Sequence, residues 1–430
     1  MKKNRDRLYY AILLILSVAF VVFGSTIASR DAKMFIGQNG DVLKKRIVRV
    51  DTILSKDERE ISIGGKLTAT ETKIKFTGTV LFGEQRGDAI AVTQTYNTLQ
   101  SRIPTPVREG DWIFAYQNIE VSTEYYSGEY IRITGIAIFG SILLVLLIVF
   151  GRSKGFSTII ALMLSVLSIF LVFIPSILSG YNVYLCAMII CAYTIGITPF
   201  LIGGFNRKSV ASALGSIGGV AVAGILTYIL NVMLRITGAV DEETMMVTFI
   251  RDTPIDLRAI TFATIIIGAL GATLDVSMSI SSAISEMHDT QPGANVKKLT
   301  KSGINIGQDI IGTQISTVVL AYIGCSLPTV LLLVAYQSSM IELLNLEMII
   351  VELLQMLIGA ATILFTIPTT AVATAWLFSH DKKTRQNRYA ESAEADDNIA
   401  QTDMLPKKEL HEADVPEAGK PYKASLRREL

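Results

Sequence analysis

The sequence predicts an α-helical polytopic membrane protein of eight transmembrane helices, with a small extracytoplasmic domain of β-barrel-like, OB-like character inserted between the first and second. Three observations predict it. Half of the 430 residues are apolar and only 18% are charged, and the mean hydropathy is +0.45, which excludes the soluble globular class. Eight apolar stretches reach the roughly 20 helical residues needed to cross a bilayer core. Lys and Arg gather in every second connection, as they do where short loops stay on the cytoplasmic side.

The spans are predicted at residues 8–27, 131–150, 156–178, 183–202, 210–234, 259–280, 311–336 and 348–378. The first is longer than the roughly 7–15 apolar residues of a signal-peptide core, so it reads as a retained anchor. The formal net charge of +1 hides a spatial asymmetry. Lys2, Lys3, Arg5 and Arg7, then Arg152 and Lys154, Arg207 and Lys208, Lys297, Lys298 and Lys301, and Lys382, Lys383, Arg385 and Arg388 all fall on one side. The opposite turns at residues 179–182 and 337–347 carry no Lys or Arg. Both termini are therefore expected in the cytoplasm of a cell-membrane protein. Arg235, Arg251 and Arg258 in the outer loop depart from the rule, but five acids from Asp241 to Asp256 balance them.

Residues 28–130 suffice for one small domain. Ile74, Phe76, Val80 and Phe82 share one parity, the mark of a half-buried strand. Gly78 interrupts that face, which predicts a bulge or a close backbone approach. Similar runs at 47–54, 89–95 and 112–116 are separated by turn chemistry at Gly64 and Gly65, 83–88 and 109–111. Short strands at this spacing predict the barrel. It lacks an aromatic-plus-basic patch, so nucleic acid is not an expected partner. Residues 381–430 have no sustained apolar face and are expected to form a disordered cytoplasmic tail.

Cys186 and Cys191 fall in the fourth span and Cys325 in the seventh, with none in the outer domain. A disulfide framework is excluded there, and the thiols are expected to be small buried hydrophobes.

The candidate site is a polar intramembrane seam. Thr261, Thr264, Gly268, Gly271, Asp275, Ser279, Ser282 and Glu286 step by three or four and share one face of the sixth span. An ionisable group inside a span is costly and marks a functional site by default. That face is expected to point into a helix bundle or a wet cavity. Asn305, Asp309, Gly312 and Ser316 step along the seventh span, with Gln308 beside Asp309. Glu352, Gln355, Gly359, Thr362, Thr366 and Thr369 step along the eighth. The three stripes are expected to face one another, with Asp275, Asp309 and Glu352 forming a ladder for an ion or proton. Gly303, Gly307 and Gly312, with Pro328 and Pro368, suggest broken helices. Gly215 and Gly219, with Gly268 and Gly271, are expected to serve helix packing.

An enzyme is not expected. The three histidines lie outside the spans, and no HExxH, GxSxG or Walker loop occurs. Asp275 and Asp309 on consecutive spans are similar in placement to the dyad of presenilin-like proteases. The chain nevertheless has Gly307-Gln308-Asp309 in place of GxGD, and Leu274 where that family has Tyr. Neither metal nor cofactor is expected.

The chain resembles the YibE/F family of bacterial multi-pass membrane proteins through five segments. They are Gly203-Gly204-Phe205-Asn206-Arg207-Lys208, Ile255-Asp256-Leu257-Arg258, residues 268–276 with Met278 and Ser279, residues 303–310 with Gly312 and Thr313, and Ala321-Tyr322. Glu352 matches the acid that opens the last span. The resemblance covers about residues 135–380 and implies a plasma-membrane location and an eight-span body, without implying a particular activity. Gln308 departs from the basic residue expected beside the second Asp.

Two functions stay open at this point. One is a permease or ion-coupled transporter with its pathway along spans six to eight and Asp275 as the central carboxylate. The other is a scaffold or sensor whose outer domain binds a partner. The expected partners are membrane lipid, a small ion or solute, and another membrane protein, identical or different.

Overall fold

A computed structural model describes residues 2–30, 32, 43–63, 67–83, 86–100, 103–118, 124–251, 254–291, 294–336 and 339–379. The turn at Gly64 and Gly65 and the tail from 381 lie outside the described residues.

Helix α1 (Lys2–Ala28) leads into five strands: β1 (Leu43–Ile63), β2 (Leu67–Val80), β3 (Ala89–Asn97), β4 (Trp112–Asn118) and β5 (Tyr125–Tyr130). They close a barrel in the order β1-β2-β3-β5-β4, with β1 also paired to β4. All pairings are antiparallel except β3 with β5. Val48, Val50, Ile74, Phe76, Val80, Val92 and Ile113 fill its interior, so the parity of Ile74, Phe76 and Val80 is the buried face. Phe82 lies beyond β2 and is exposed. Gly78 sits opposite a bulge in β1 between Val50 and Thr52. A Cβ there would come 2.7 Å from the Arg49 carbonyl oxygen, so only glycine permits this approach.

The helical body comprises α2 (Ile133–Ser168), a π-helical turn (Ile169–Phe173), α3 (Ile174–Leu178), α4 (Val183–Gly203), α5 (Arg207–Met233), α6 (Glu242–Val247), α7 (Leu257–Thr290), α8 (Val296–Tyr336), α9 (Met340–Asn345) and α10 (Glu347–Ser379). Asn182, Asn206 and Asp256 cap α4, α5 and α7 through side-chain oxygens that accept from first-turn amides. Among the described residues, seven helices are long and apolar enough to cross a membrane. The second and third predicted spans lie in one of them, the 46-residue stretch Ile133–Leu178.

That stretch is not straight. Arg152 has φ 49° and ψ −130°, and a Cβ on Gly155 would lie 2.1 Å from the Leu147 carbonyl oxygen. Eight residues of uninterrupted helix would separate those positions by about 12 Å. The chain therefore folds sharply at Arg152. All of the buried residues of α2 follow that point, beginning with Gly155.

Helices α5, α7 and α10 make the centre of the body, with α8 packed on α10 and α7. Val276, Ile280 and Ile284 of α7 meet Leu299 of α8 and Ile363, Ile367 and Ala371 of α10. Gly303 and Gly307 lie against Ile284, Ala371 and Ile367, so they are packing positions and not breaks. Helices α8 and α10 continue through Pro328 and Pro368. Cys186 and Cys191 are buried, as expected, but Cys325 is exposed.

Candidate functional site: a carboxylate groove between α7 and α8

Helix α7 carries two polar tracks. One, made of Thr273, Ser277 and Ser281 at four-residue spacing, is buried. Ser277 shares hydrogen bonds with Ser212 and Ser216 of α5, at 2.8 and 2.7 Å. Gly215 and Gly219 let α5 also lie close against α10: added Cβ atoms would fall 2.0 Å from Thr370 Oγ1 and 2.1 Å from Thr366 Oγ1. Thr362, Thr366, Thr370 and Thr374 of α10 complete a hydroxyl-lined interior. Thr362, Thr366 and Thr374 bond the carbonyl four residues back on their own helix, so burial leaves them satisfied.

The second track is the predicted seam, and within the single chain it does not face inward. Thr261 is buried, but Thr264, Gly268, Gly271, Asp275, Ser279, Ser282 and Glu286 are exposed. The opposite face of α7 holds the core instead, because its apolar and hydroxyl residues can be buried at less cost than a carboxylate. The exposed track borders α8. There Gln314 Nε2 donates to Oδ2 of Asp275 at 3.1 Å, and Tyr322 places its hydroxyl against Gly268, where a Cβ would lie 2.3 Å from it.

Those two contacts set the antiparallel register of the helices. About one to two turns nearer the α7–α8 connection, Asp309 and Gln308 are level with Ser279 and Ser282. Asn305, Gln308, Asp309, Gly312 and Ser316 are all exposed, on the outer side of α8 and turned away from the stripe that carries Gln314. Gly271 and Gly312 have nothing within 4 Å of an added Cβ. Gly271 is thus no packing position within the chain, whereas Gly268 abuts Tyr322.

Only part of the α10 stripe reaches this groove. Gln355, Gly359, Thr362 and Thr366 are buried. Glu352 is half-buried. The three stripes therefore do not meet face to face: that of α7 is exposed beside Gln314, that of α8 lies on its outer side, and most of that of α10 is buried. No Lys or Arg occurs in residues 259–290, 302–336 or 347–379. Asp275, Asp309 and Glu352 therefore have no cation within these segments, the basic residues of α7 and α8 being Arg258, Lys297, Lys298 and Lys301 at the helix ends. Among the described residues no three His, Cys, Asp or Glu side chains group as a metal site.

Residues 139–380 match the family described as YibE/F-like protein. The chain belongs to the YibE/F-like family. No curated protein and no solved structure matches the chain. The region shared with the YibE/F-like family runs from within α2 to the end of α10 and contains the whole groove, while the barrel lies before it. This YibE/F-like chain is a membrane protein with several apolar helices.

Sequence reasoning missed Gln314 and the Ser212–Ser277–Ser216 cluster. The cluster had a legible signal, since 212 and 216, like 273, 277 and 281, recur at helical spacing. Gln314 had none, because only the register of α7 against α8 brings it to Asp275.

Proposed function

We propose that the protein is a cell-membrane permease or ion-coupled transporter whose pathway follows the α7–α8 groove, with Asp275 as its central carboxylate. Glu352 stands toward one end of the helices and Asp309, on the outer side of α8, toward the other. In this reading the body has eight crossings, the sharp fold at Arg152 being the turn between the second and third, and both termini are cytoplasmic. The barrel is read as OB-like from its strand order and its parallel β3–β5 pair.

The observation that carries the proposal is the setting of Asp275. It is an acid within an apolar helix, it is bonded to a neutral carboxamide, and no basic residue is present in residues 259–290, 302–336 or 347–379. A lone carboxylate there is stabilised by taking up a proton or a cation, and alternation between the two states is what coupled transport requires. Purified protein in sealed vesicles, with a pH-sensitive dye and a panel of cations, tests this. Ion-dependent proton or cation flux is expected.

One observation favours a second reading. The polar stripe lies on the outer side of the chain, where another helix can cover it, as a scaffold or sensor would require. Absence of flux across the panel from well-folded protein supports that reading over transport.

A further inference from the structure

We propose that the cleft where the barrel meets α2 holds the headgroup of a phospholipid bearing a primary ammonium, with Arg132 on its phosphate and Asp111 on its ammonium. The inference does not rest on transport.

The first argument is placement. Strand β4 opens at Trp112, whose carbonyl oxygen accepts from the Ile131 amide at 2.8 Å. Strand β5 ends at Tyr130, so residues 131 and 132 alone separate the barrel from α2. An open cleft of about 510 Å³ lies at this junction, lined by Asp111, Trp112, Tyr130, Arg132 and Thr134 among others. The polar layer of a bilayer is about 5–7 Å deep on each side, and a helix rises about 1.5 Å per residue. Arg132 immediately precedes the apolar run that opens at Ile133, so the cleft sits at headgroup level on the barrel's side of the membrane. Below it, no buried residue of α2 precedes Gly155, and Ile133, Ile136 and Phe139 are exposed. Acyl chains of a lipid held in the cleft have this bare helix to lie along.

The second argument is charge. The Arg132 guanidinium donates through Nη1 to Glu129 at 3.0 Å and lies over the Tyr130 ring, 5.6 Å from its centroid. The rest of its fork is left for a phosphate. Asp111 accepts the Arg108 amide on Oδ2 at 2.7 Å, and a carboxylate has lone pairs beyond that one for an ammonium. Burial pushes the Tyr130 phenol up to about 12, and the Asp111 charge adds to the shift. Tyr130 therefore stays neutral and donates to the Thr105 carbonyl oxygen at 3.1 Å. With the Trp112 ring it offers an aromatic wall that attracts a cation.

The third argument selects the headgroup. Trp, Tyr and Arg recur at membrane interfaces without any specific ligand. An acid beside them has no part in such a belt, and it disfavours a headgroup that is only negative. One cation and one acid in a single cleft match a zwitterion. A quaternary ammonium has no N–H to give the carboxylate, whereas a primary ammonium has.

The test uses the full-length chain and its two tryptophans, Trp112 and Trp376. Trp376→Phe leaves Trp112 as the only indole. The protein is reconstituted in phosphatidylcholine vesicles containing a minor share of ethanolamine, choline or glycerol phospholipid with a nitroxide near the top of one acyl chain. Quenching of Trp112 fluorescence is expected to report roughly two- to fivefold tighter association of the ethanolamine lipid, the range that exposed charge pairs supply. Asp111→Asn keeps an acceptor for the Arg108 amide, and Arg132→Gln changes an exposed side chain outside the barrel ladder. Each is expected to keep the melting profile and to lose the preference. Equal quenching by the three lipids, or stronger quenching by the choline or glycerol lipid, overturns the proposal. So does a preference that survives in both variants. A preference abolished by millimolar soluble glycerophosphoethanolamine would assign the cleft to a free metabolite and overturn the lipid. Because no arm measures flux, the outcome is independent of the transport test.

Discussion

Gln314 and Asp275 join α7 to α8 by a single side-chain hydrogen bond of 3.1 Å, at a depth where neither helix offers a positive charge. On a straight helix rising about 1.5 Å per residue, Asp275 stands only about 8 Å from the midpoint of the apolar run at 259–280. The pair is both the centre of the candidate pathway and a polar link between two helices, and these roles have separable consequences.

The link itself is expected to contribute little stability. Hydrogen bonds between membrane helices average about 0.6 kcal/mol in double-mutant cycles, with a ceiling near 1.7 kcal/mol. A cycle of Asp275→Leu and Gln314→Leu, each of which removes the bond, read by thermal or denaturant unfolding in detergent, should therefore give a coupling below about 2 kcal/mol. A larger coupling would make the pair a structural keystone.

Glycines on the two sides of the body should respond oppositely. Gly219→Val drives a side chain into Thr366 and Thr273, and Gly215→Val into Thr370. Overpacking of this kind costs about 1–3 kcal/mol. Gly271→Ala meets open space and should not lower the stability of the single chain, helix propensity favouring Ala there by up to about 1 kcal/mol. Unfolding midpoints of the three variants check the contrast, and equal losses at all three would refute the assignment of buried and open faces.

The fold at Arg152 makes a topological prediction. Cysteine placed at Ser339 should react with an impermeant thiol reagent from outside intact cells. Cysteine at Ser153, exposed beside the turn, should react only after permeabilisation. Labelling of position 153 in intact cells would remove the eight-crossing arrangement.

Much of this architecture is legible in the residues themselves. The alternation at Ile74, Phe76 and Val80 reports a buried strand face directly, and Gly78 reports the bulge opposite it. Strand β5, Tyr125–Tyr130, is not legible: its Tyr-Tyr-Ser-Gly-Glu-Tyr run lacks apolar alternation, and pairing to β3 and β4 defines it. In α7 both polar tracks are visible as periodicity, but periodicity does not say which one is inside. The deciding physics is that Thr273 and Ser277 bond the Leu270 and Leu274 carbonyls of their own helix, so hydroxyls enter the core satisfied. Asp275 has no such local recourse and takes the outer face. Cys325 was expected to be buried on apolar character alone, yet exposure toward lipid satisfies the same character equally well.

The central claim is that Asp275 acts through its ionisable carboxyl. Asn keeps the size and hydrogen-bonding capacity of Asp but neither carries charge nor releases a proton. The decisive measurement is flux in sealed vesicles for Asp275→Asn beside the unsubstituted protein, at matched incorporation and matched melting temperature. The account predicts that the variant folds and inserts normally and loses flux at least tenfold. Full flux from the Asn variant would contradict it, leaving the groove as a surface for helix contact only.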